Sequence, residues 1–460
     1  MIVMTKTIIK TQKEIFHMAI VSQDLYDEQC RSKSILQFAK ELKLAKLLEK
    51  ANIRKARGIG VLTVFVHLLS VAFSGKSLNQ LLDSGELCGK KDVFYRFINS
   101  TSANWLKFIR LLSSNFIVRL KAFFSEDNGV LIIDDTIHKR NRSKKVELLT
   151  YVRDHNDGRY YRGFRCLTLC FHIANSIIPV DFRILSSFIE KTRINGFRMD
   201  LDKRTNGYKL RQYAVSNTFQ MVFDLLRRQR GLARHVLFDS WFSQPVMFKT
   251  LLDMDFHGIG MLKAAKGRLF RFKGKIYNLE ALFAFAKPFI HRDQGYASLG
   301  VELVDGTPMS ITFVQDKDNT RGWLAIGTTD LSLSPSQVIS LYSRRWNIEV
   351  FFKTVKSCLG FARECQSRSF DAIVCSVAIV FTRHIILTWM NLGLPVPETD
   401  GQLFFRLFDE FRECTFFEAL DIVIREIAVR FVDSDELQKT SVLEFIRTLP
   451  SYFIPLQAVA

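Results

Sequence analysis

The feature that most limits the fold is a change of hydrophobic period near residue 129. Before it, apolar residues recur at helical spacing: Ile35 to Leu48 does so between lysines, and Val61 to Phe73 is nearly continuous. After it come short apolar runs that end in acids. Val130 to Ile133 runs into Asp134-Asp135-Thr136, and His235 to Phe238 into Asp239. Arg165 to Ile173 and Ile177 to Leu185 alternate as strands, joined by Ala174-Asn175-Ser176. Helical stretches fall at Asn206 to Arg230, with Gly231 as a stop, and at Ser243 to Met254, and Gly258 to Leu262 is strand-like. This order predicts a mixed α/β sheet flanked by helices.

The placement of the acids matters. Side chains at strand ends project into the crevice where open sheets bind ligands. A lone strand-end Asp is most simply a turn former. Two of them on separate strands weaken that reading, and a third element weakens it further. From Ser334, a natural N-cap followed by Pro335, one long helix is expected to about Leu359. On it Tyr342, Arg345, Glu349 and Lys356 fall within a stripe about 60° wide. That stripe borders the face of Leu341, Ile348, Phe351, Phe352, Val355 and Leu359, so Glu349 sits at the edge of the core. The plainer account, an exposed Arg345–Glu349 pair, stands beside it.

Three carboxylates converging from two strands and a helix can hold two divalent cations. These activate a hydroxyl and stabilise a leaving oxygen in phosphodiester chemistry. Hard oxygen ligands without a His or Cys cluster favour Mg²⁺ or Mn²⁺. The eight cysteines contain no C-x-x-C pair, which argues against a thiolate zinc site or a disulfide framework. Cys166 and Cys170 share a strand face and read as core, and His138 as a hydrogen-bonded neighbour.

Charge points to the partner. The 460 residues hold 65 Lys and Arg against 46 Asp and Glu, a net +19. Residues 139–165 and 191–211 together supply +11 of it, while 394–460 carry −6. A concentrated positive field suggests nucleic acid first and an anionic membrane surface second. Arg271, Lys273 and Lys275 fall on one face of an expected strand over 271–276, a second basic feature suited to a phosphate backbone or to a solvated edge. Leu78 to Leu82, a turn at Asp83 to Gly89 and Lys91 to Ile98 resemble a helix-turn-helix. Neither a secretory leader in Met1 to Lys13 nor a membrane span is expected. Ala372 to Thr382 is shorter than the about 20 apolar residues a bilayer needs and reads as a buried helix. The expected location is the cytoplasm.

Y342-x2-R345-x3-E349-x6-K356 resembles the Y-R-E-K signature of bacterial DDE transposases of the insertion sequence 4 family. The fragments IIDDT (132–136) and VLFDSWF (236–242) resemble its two aspartate motifs, over about residues 129–362. The first acid is Asp135 or Asp134, with the alignment leaning to Asp135. The resemblance implies an RNase H-like core at 126–262 and 331–365 and a β-rich insertion at 263–330. Helical regions at 1–125, expected to bind DNA ends, and at 366–460 flank it. It implies Asp135 (or Asp134), Asp239 and Glu349 on two Mg²⁺ or Mn²⁺ ions, with Tyr342, Arg345 and Lys356 holding terminal phosphates. Trp346 would support a distorted end, and Trp323 is a further candidate stacker or a core residue. The implied partners are terminal inverted repeats and target DNA, with a homodimer on the DNA. Two other readings remain: a catalytically silent, transposase-derived DNA-binding protein, and a general nuclease.

Overall fold

The computed structural model describes residues 33–409 except 56, 88, 155–156, 199, 266, 291–294 and 316–321. Outside them lie residues 1–32, the end of the acidic tail from 410, and Cys30, Cys88 and Cys414.

The amino-terminal part is helical, as its period dictates: α1 (Lys33–Glu41), α2 (Leu44–Lys50), α3 (Val61–Ser70), α4 (Leu78–Asp83), α5 (Lys91–Ile98) and α6 (Trp105–Phe123). Ser77 caps α4 in a capping box with Gln80, which satisfies two amide donors at the helix start. Then come β1 (Val130–Lys139), β2 (Thr150–Arg153), β3 (Tyr160–Ile173) and β4 (Ser176–Leu185). The helix expected over 206–230 is two, α7 (Asn206–Ala214) and α8 (Thr218–Arg227). Asn217 divides them, because its side chain accepts from the Phe219 amide and restarts the chain as an N-cap. Strand β5 (His235–Phe238), α9 (Pro245–Leu252) and β6 (His257–Leu262) follow.

Residues 263–330 extend the same sheet. They form β7 (Leu269–Phe272), β8 (Lys275–Asn278), α10 (Leu279–Ala286), β9 (Tyr296–Leu303), β10 (Pro308–Gln315) and β11 (Trp323–Thr328). The sheet runs β2-β3-β1-β5-β6-β11-β10-β9-β7-β8, with β4 also on β3. Strands β1, β5 and β6 are parallel and the other pairings antiparallel. The expected strand over 271–276 is instead the β7–β8 hairpin. Lys273 and Gly274 occupy its turn with φ of 48° and 77°, a pair of positive values that closes a two-residue turn. Lys273 therefore leaves the face it was expected to share with Arg271 and Lys275.

After the sheet come α11 (Pro335–Ser343), α12 (Trp346–Ser357) and α13 (Phe370–Leu392), and residues 400–409 are helical. Ser334 caps α11 with Pro335 at its first position, as expected. The single long helix to Leu359 is split at Arg344-Arg345, although both keep right-handed helical dihedrals. Helix α13 is long and apolar enough to cross a membrane, yet 94% of its most apolar window is buried against the rest of the fold. Its Arg383, fully buried, donates to the Leu68, Leu69 and Leu359 carbonyls and pairs with Glu364 at 2.7 Å. Such pairing offsets the cost of taking a guanidinium out of water. This one ties the helical region to the end of α12. A second buried set, Arg211 with Glu147 and Asp371 at 2.6 and 2.8 Å, joins α7, the β1–β2 connection and α13.

Candidate active site

Strands β1 and β5 are parallel neighbours, and Ile133 pairs with Phe238. The next residues, Asp134 and Asp239, therefore lie level with each other, Asp134 midway along β1 where its pairing with β5 stops and Asp239 just past the end of β5. The chain leaves β1 toward β3 and enters β5 on the other side, so this is the crevice where open α/β sheets bind ligands.

Alternation along β1 turns Asp134 and Asp135 to opposite faces. Asp135 accepts from Arg165 Nη1 at 2.9 and 3.1 Å, and Arg165 also donates to the Arg153 carbonyl. Asp134 faces α12. Its Oδ2 lies 3.5 Å from Arg345 Nη1, and Arg345 Nη2 donates to Glu349 Oε1. Arg345 thus bridges the acid of β1 and the acid of α12, one helical turn further on. The Asp134 carboxyl is pushed up to about 8, first by burial and then by the negative charges of Asp239 and Asp135. The loop after β5 aims Asp239, whose Oδ1 accepts from the Trp241 and Phe242 amides at 2.9 and 3.3 Å.

The remaining expected residues divide into two groups. Tyr342 is buried beside the acids, its hydroxyl pushed up to about 12 by burial, with the Arg345 guanidinium 5.9 Å from its ring. Trp346, at the start of α12, is 62% exposed, and Lys356 is exposed two turns beyond Glu349. Arg271, Lys273, Lys275 and Trp323 lie away from this group, on the sheet extension. Arg271 pairs with Glu302 at 3.4 Å. Trp323 stacks on Phe283 at 4.5 Å between ring centres, a packed position.

Two residues escaped the sequence reading. Arg165 is visible only once the β1–β3 register is known. Trp241 follows Asp239 by two residues, is 41% exposed and stacks on Phe219 at 5.6 Å; its place in VLFDSWF was the available signal. His138 is corrected. It is buried between Phe164 and Phe361 with no hydrogen bond to either ring nitrogen among the described residues, and burial pushes it down to about 3. Cys166 and Cys170 are buried core residues, and burial pushes the Cys166 thiol up to about 12.

Hard carboxylate oxygens on Asp134 and Asp239 fit a divalent cation, and burial together with the neighbouring carboxylates raises Asp134. Glu349 is held by Arg345, and no group of three His, Cys, Asp or Glu residues stands ready for a metal among the described residues. The fit is therefore to the strand pair, while Glu349 is engaged by Arg345.

Residues 207–386 match the family model described as Transposase DDE domain. The match begins in α7 and ends in α13, and so takes in Asp239, Tyr342, Arg345, Trp346, Glu349 and Lys356. It covers less than half of the chain and starts after Asp134. It supports a DDE transposase, a nuclease-like class that acts on DNA and generally uses divalent metals. The comparison with curated proteins gives no match.

Proposed function

We propose that the protein is a cut-and-paste DNA transposase of the insertion sequence 4 type, with Asp134, Asp239 and Glu349 as its acids. The observation that carries this is the level placement of Asp134 and Asp239 on parallel β1 and β5, with Glu349 facing them across Arg345. Taking β1, β3, β4, β5 and β6 in chain order, the sheet runs third, second, first, fourth, fifth, which supports an RNase H-like core. Asp134 is preferred to Asp135 because Asp135 points to the other face and is held by Arg165.

Two Mg²⁺ or Mn²⁺ ions, held by these acids, would supply the Lewis-acid charge that phosphodiester cleavage and strand transfer require. The chain's own residues do the rest. Arg345, freed from Glu349, and Lys356 grip the phosphates beside the scissile bond. Tyr342 packs against the Arg345 guanidinium and sets its height. Exposed Trp346 offers a face on which a displaced terminal base stacks. The partners are the element's terminal inverted repeats and target DNA, with a homodimer pairing two ends.

The test is cleavage of duplex DNA carrying the inverted repeats that flank the gene, with Mg²⁺ or EDTA, wild type beside Glu349→Gln. Mg²⁺-dependent cuts at the repeat boundary, lost in the variant, are expected. The hold of Arg345 on Glu349 favours one second reading, a silent DNA binder, for which tight binding of the repeats without any cut is the signature. Cuts scattered over unrelated DNA would mark a general nuclease.

A further inference from the structure

Away from the acids, the structure holds a cavity of about 170 Å³ walled by α6, β4, α7 and the end of α8. Its position follows from register. Asp135, Leu167 and Arg183 are successive partners across β1, β3 and β4, so Arg183 projects from the sheet face opposite Asp134.

The three arginines that line it, Arg110, Arg183 and Arg228, belong to a chain of alternating charges whose acids, Asp181 and Asp224, stand behind them. Arg110 Nη1 meets Asp181 at 2.9 Å, and Asp181 meets Arg183 Nη1 at 2.9 Å. Arg183 Nη2 meets Asp224 at 2.6 Å, and Asp224 meets Arg228 Nη2 at 2.9 Å. The chain begins and ends in arginine, and exposed Lys209 adds another cation to the wall. Arg110, Arg183, Lys209 and Arg228 against Asp181 and Asp224 leave two positive charges uncompensated. Arg183 is 1% exposed, and its Nε makes no hydrogen bond among the described residues. Arg110 and Arg228 each give one Nη to an aspartate, and each keeps further donors in a planar fork suited to a tetrahedral oxyanion. Each water in the liquid takes about 30 Å³, so the space admits such a group with water to spare.

The geometry points to a phosphate-binding pocket, in which a phosphate group neutralises the excess charge between Arg110, Arg183, Lys209 and Arg228. The phosphate is either one on a DNA backbone crossing this face or free inorganic phosphate. Arg110 reaches the pocket from α6, so occupancy couples the helical amino-terminal region to the sheet. None of this depends on the acid site, whose failure would show in the cleavage assay and leave the pocket untouched.

The experiment uses the full chain. Inorganic phosphate is titrated by calorimetry into wild type, Lys209→Ala/Arg228→Gln and Lys209→Arg, and a random-sequence DNA duplex is titrated into each across a salt series. Both replaced side chains are exposed, and Arg183 keeps both of its aspartates in every variant. Saturable phosphate heat is expected in wild type and Lys209→Arg, weakened at least about tenfold in the double variant by the loss of charge-assisted hydrogen bonds. If phosphate also displaces the duplex, and the double variant lowers the slope of log K against log salt by about one to two, the source is the DNA backbone. If duplex binding is the same in all three, the source is free phosphate. Absence of saturable heat in wild type, or equal affinity in wild type and the double variant, overturns the proposal.

Discussion

His138→Phe should make the protein measurably less sensitive to acid. The imidazole is fully buried in β1, with ring centres 5.1 Å from Phe361 and 6.4 Å from Phe164, so it clamps the strand bearing Asp134 to the segment just past α12. Burial holds its pKa at about 3, against an ordinary 6.5, and the Arg140 charge lowers it further. A depressed histidine contributes stability that is present above the unfolded pKa and is lost as pH falls toward the folded one. At pH 5 the unfolded chain gains the proton and the folded chain does not, which costs about 2 kcal/mol; at pH 7 the cost is about 0.2 kcal/mol. The figure at pH 5 is insensitive to the folded value as long as that value stays below about 4. Phenylalanine keeps a ring in the clamp and cannot titrate. Any packing penalty it introduces acts equally at both pH values and cancels in the difference. His172, pushed down to about 4 by burial, titrates in both proteins and cancels as well. Thermal unfolding at pH 7 and pH 5 in EDTA is the assay. The loss of Tm on acidification should be a few degrees smaller in His138→Phe, as about 2 kcal/mol requires. Equal losses in the two proteins would refute the argument, because they would mean that the ring is solvated or protonated in the fold.

The other predictions concern the acid site. Asp134→Asn should abolish Mg²⁺-dependent cleavage, whereas Asp135→Asn should retain most of it and weaken the Arg165 pair; loss of cleavage in Asp135→Asn alone, with Asp134→Asn active, would reverse the assignment. Trp346→Ala should leave Tm unchanged within about a degree, since the indole is 62% exposed, while weakening binding of a substrate with an unpaired terminal base by about 1–3 kcal/mol. Fluorescence anisotropy with paired and unpaired ends checks this, and an equal loss on both substrates would remove the stacking role.

What could be read from the sequence, and what could not, divides by range. Strand β5 ending at Asp239, the Ser334 cap and the burial of Ala372 to Thr382 were legible because each rests on local pattern, whereas β1 does not end at its acids but runs on to Lys139. The break at Arg344-Arg345 was not, since neither Gly nor Pro marks it and both residues keep helical dihedrals. The β7–β8 hairpin was missed because alternation of apolar and basic residues continues through Lys273-Gly274, and only the left-handed turn there reverses the chain. The choice between Asp134 and Asp135 has no local signature at all. It depends on which face of β1 meets α12, a fact fixed by pairing with Val236 to Phe238 roughly a hundred residues away.

The same register explains why an arginine stands among the acids. Asp134, Asp239 and Glu349 approach one another between β1, β5 and α12, and burial, followed by the negative charges of Asp239 and Asp135, pushes the Asp134 carboxyl to about 8. A cation is needed for the fold to bring them together, and Arg345 supplies it from the start of α12, bridging Asp134 and Glu349. On the proposed function, a divalent ion arriving between the acids takes over that neutralisation. Arg345 is then left with an uncompensated charge and a planar set of donors at the place where a DNA phosphate must sit. One side chain thus meets two needs in turn, holding the acids together before substrate arrives and holding the phosphate afterwards. This accounts for its spacing of one helical turn from Glu349.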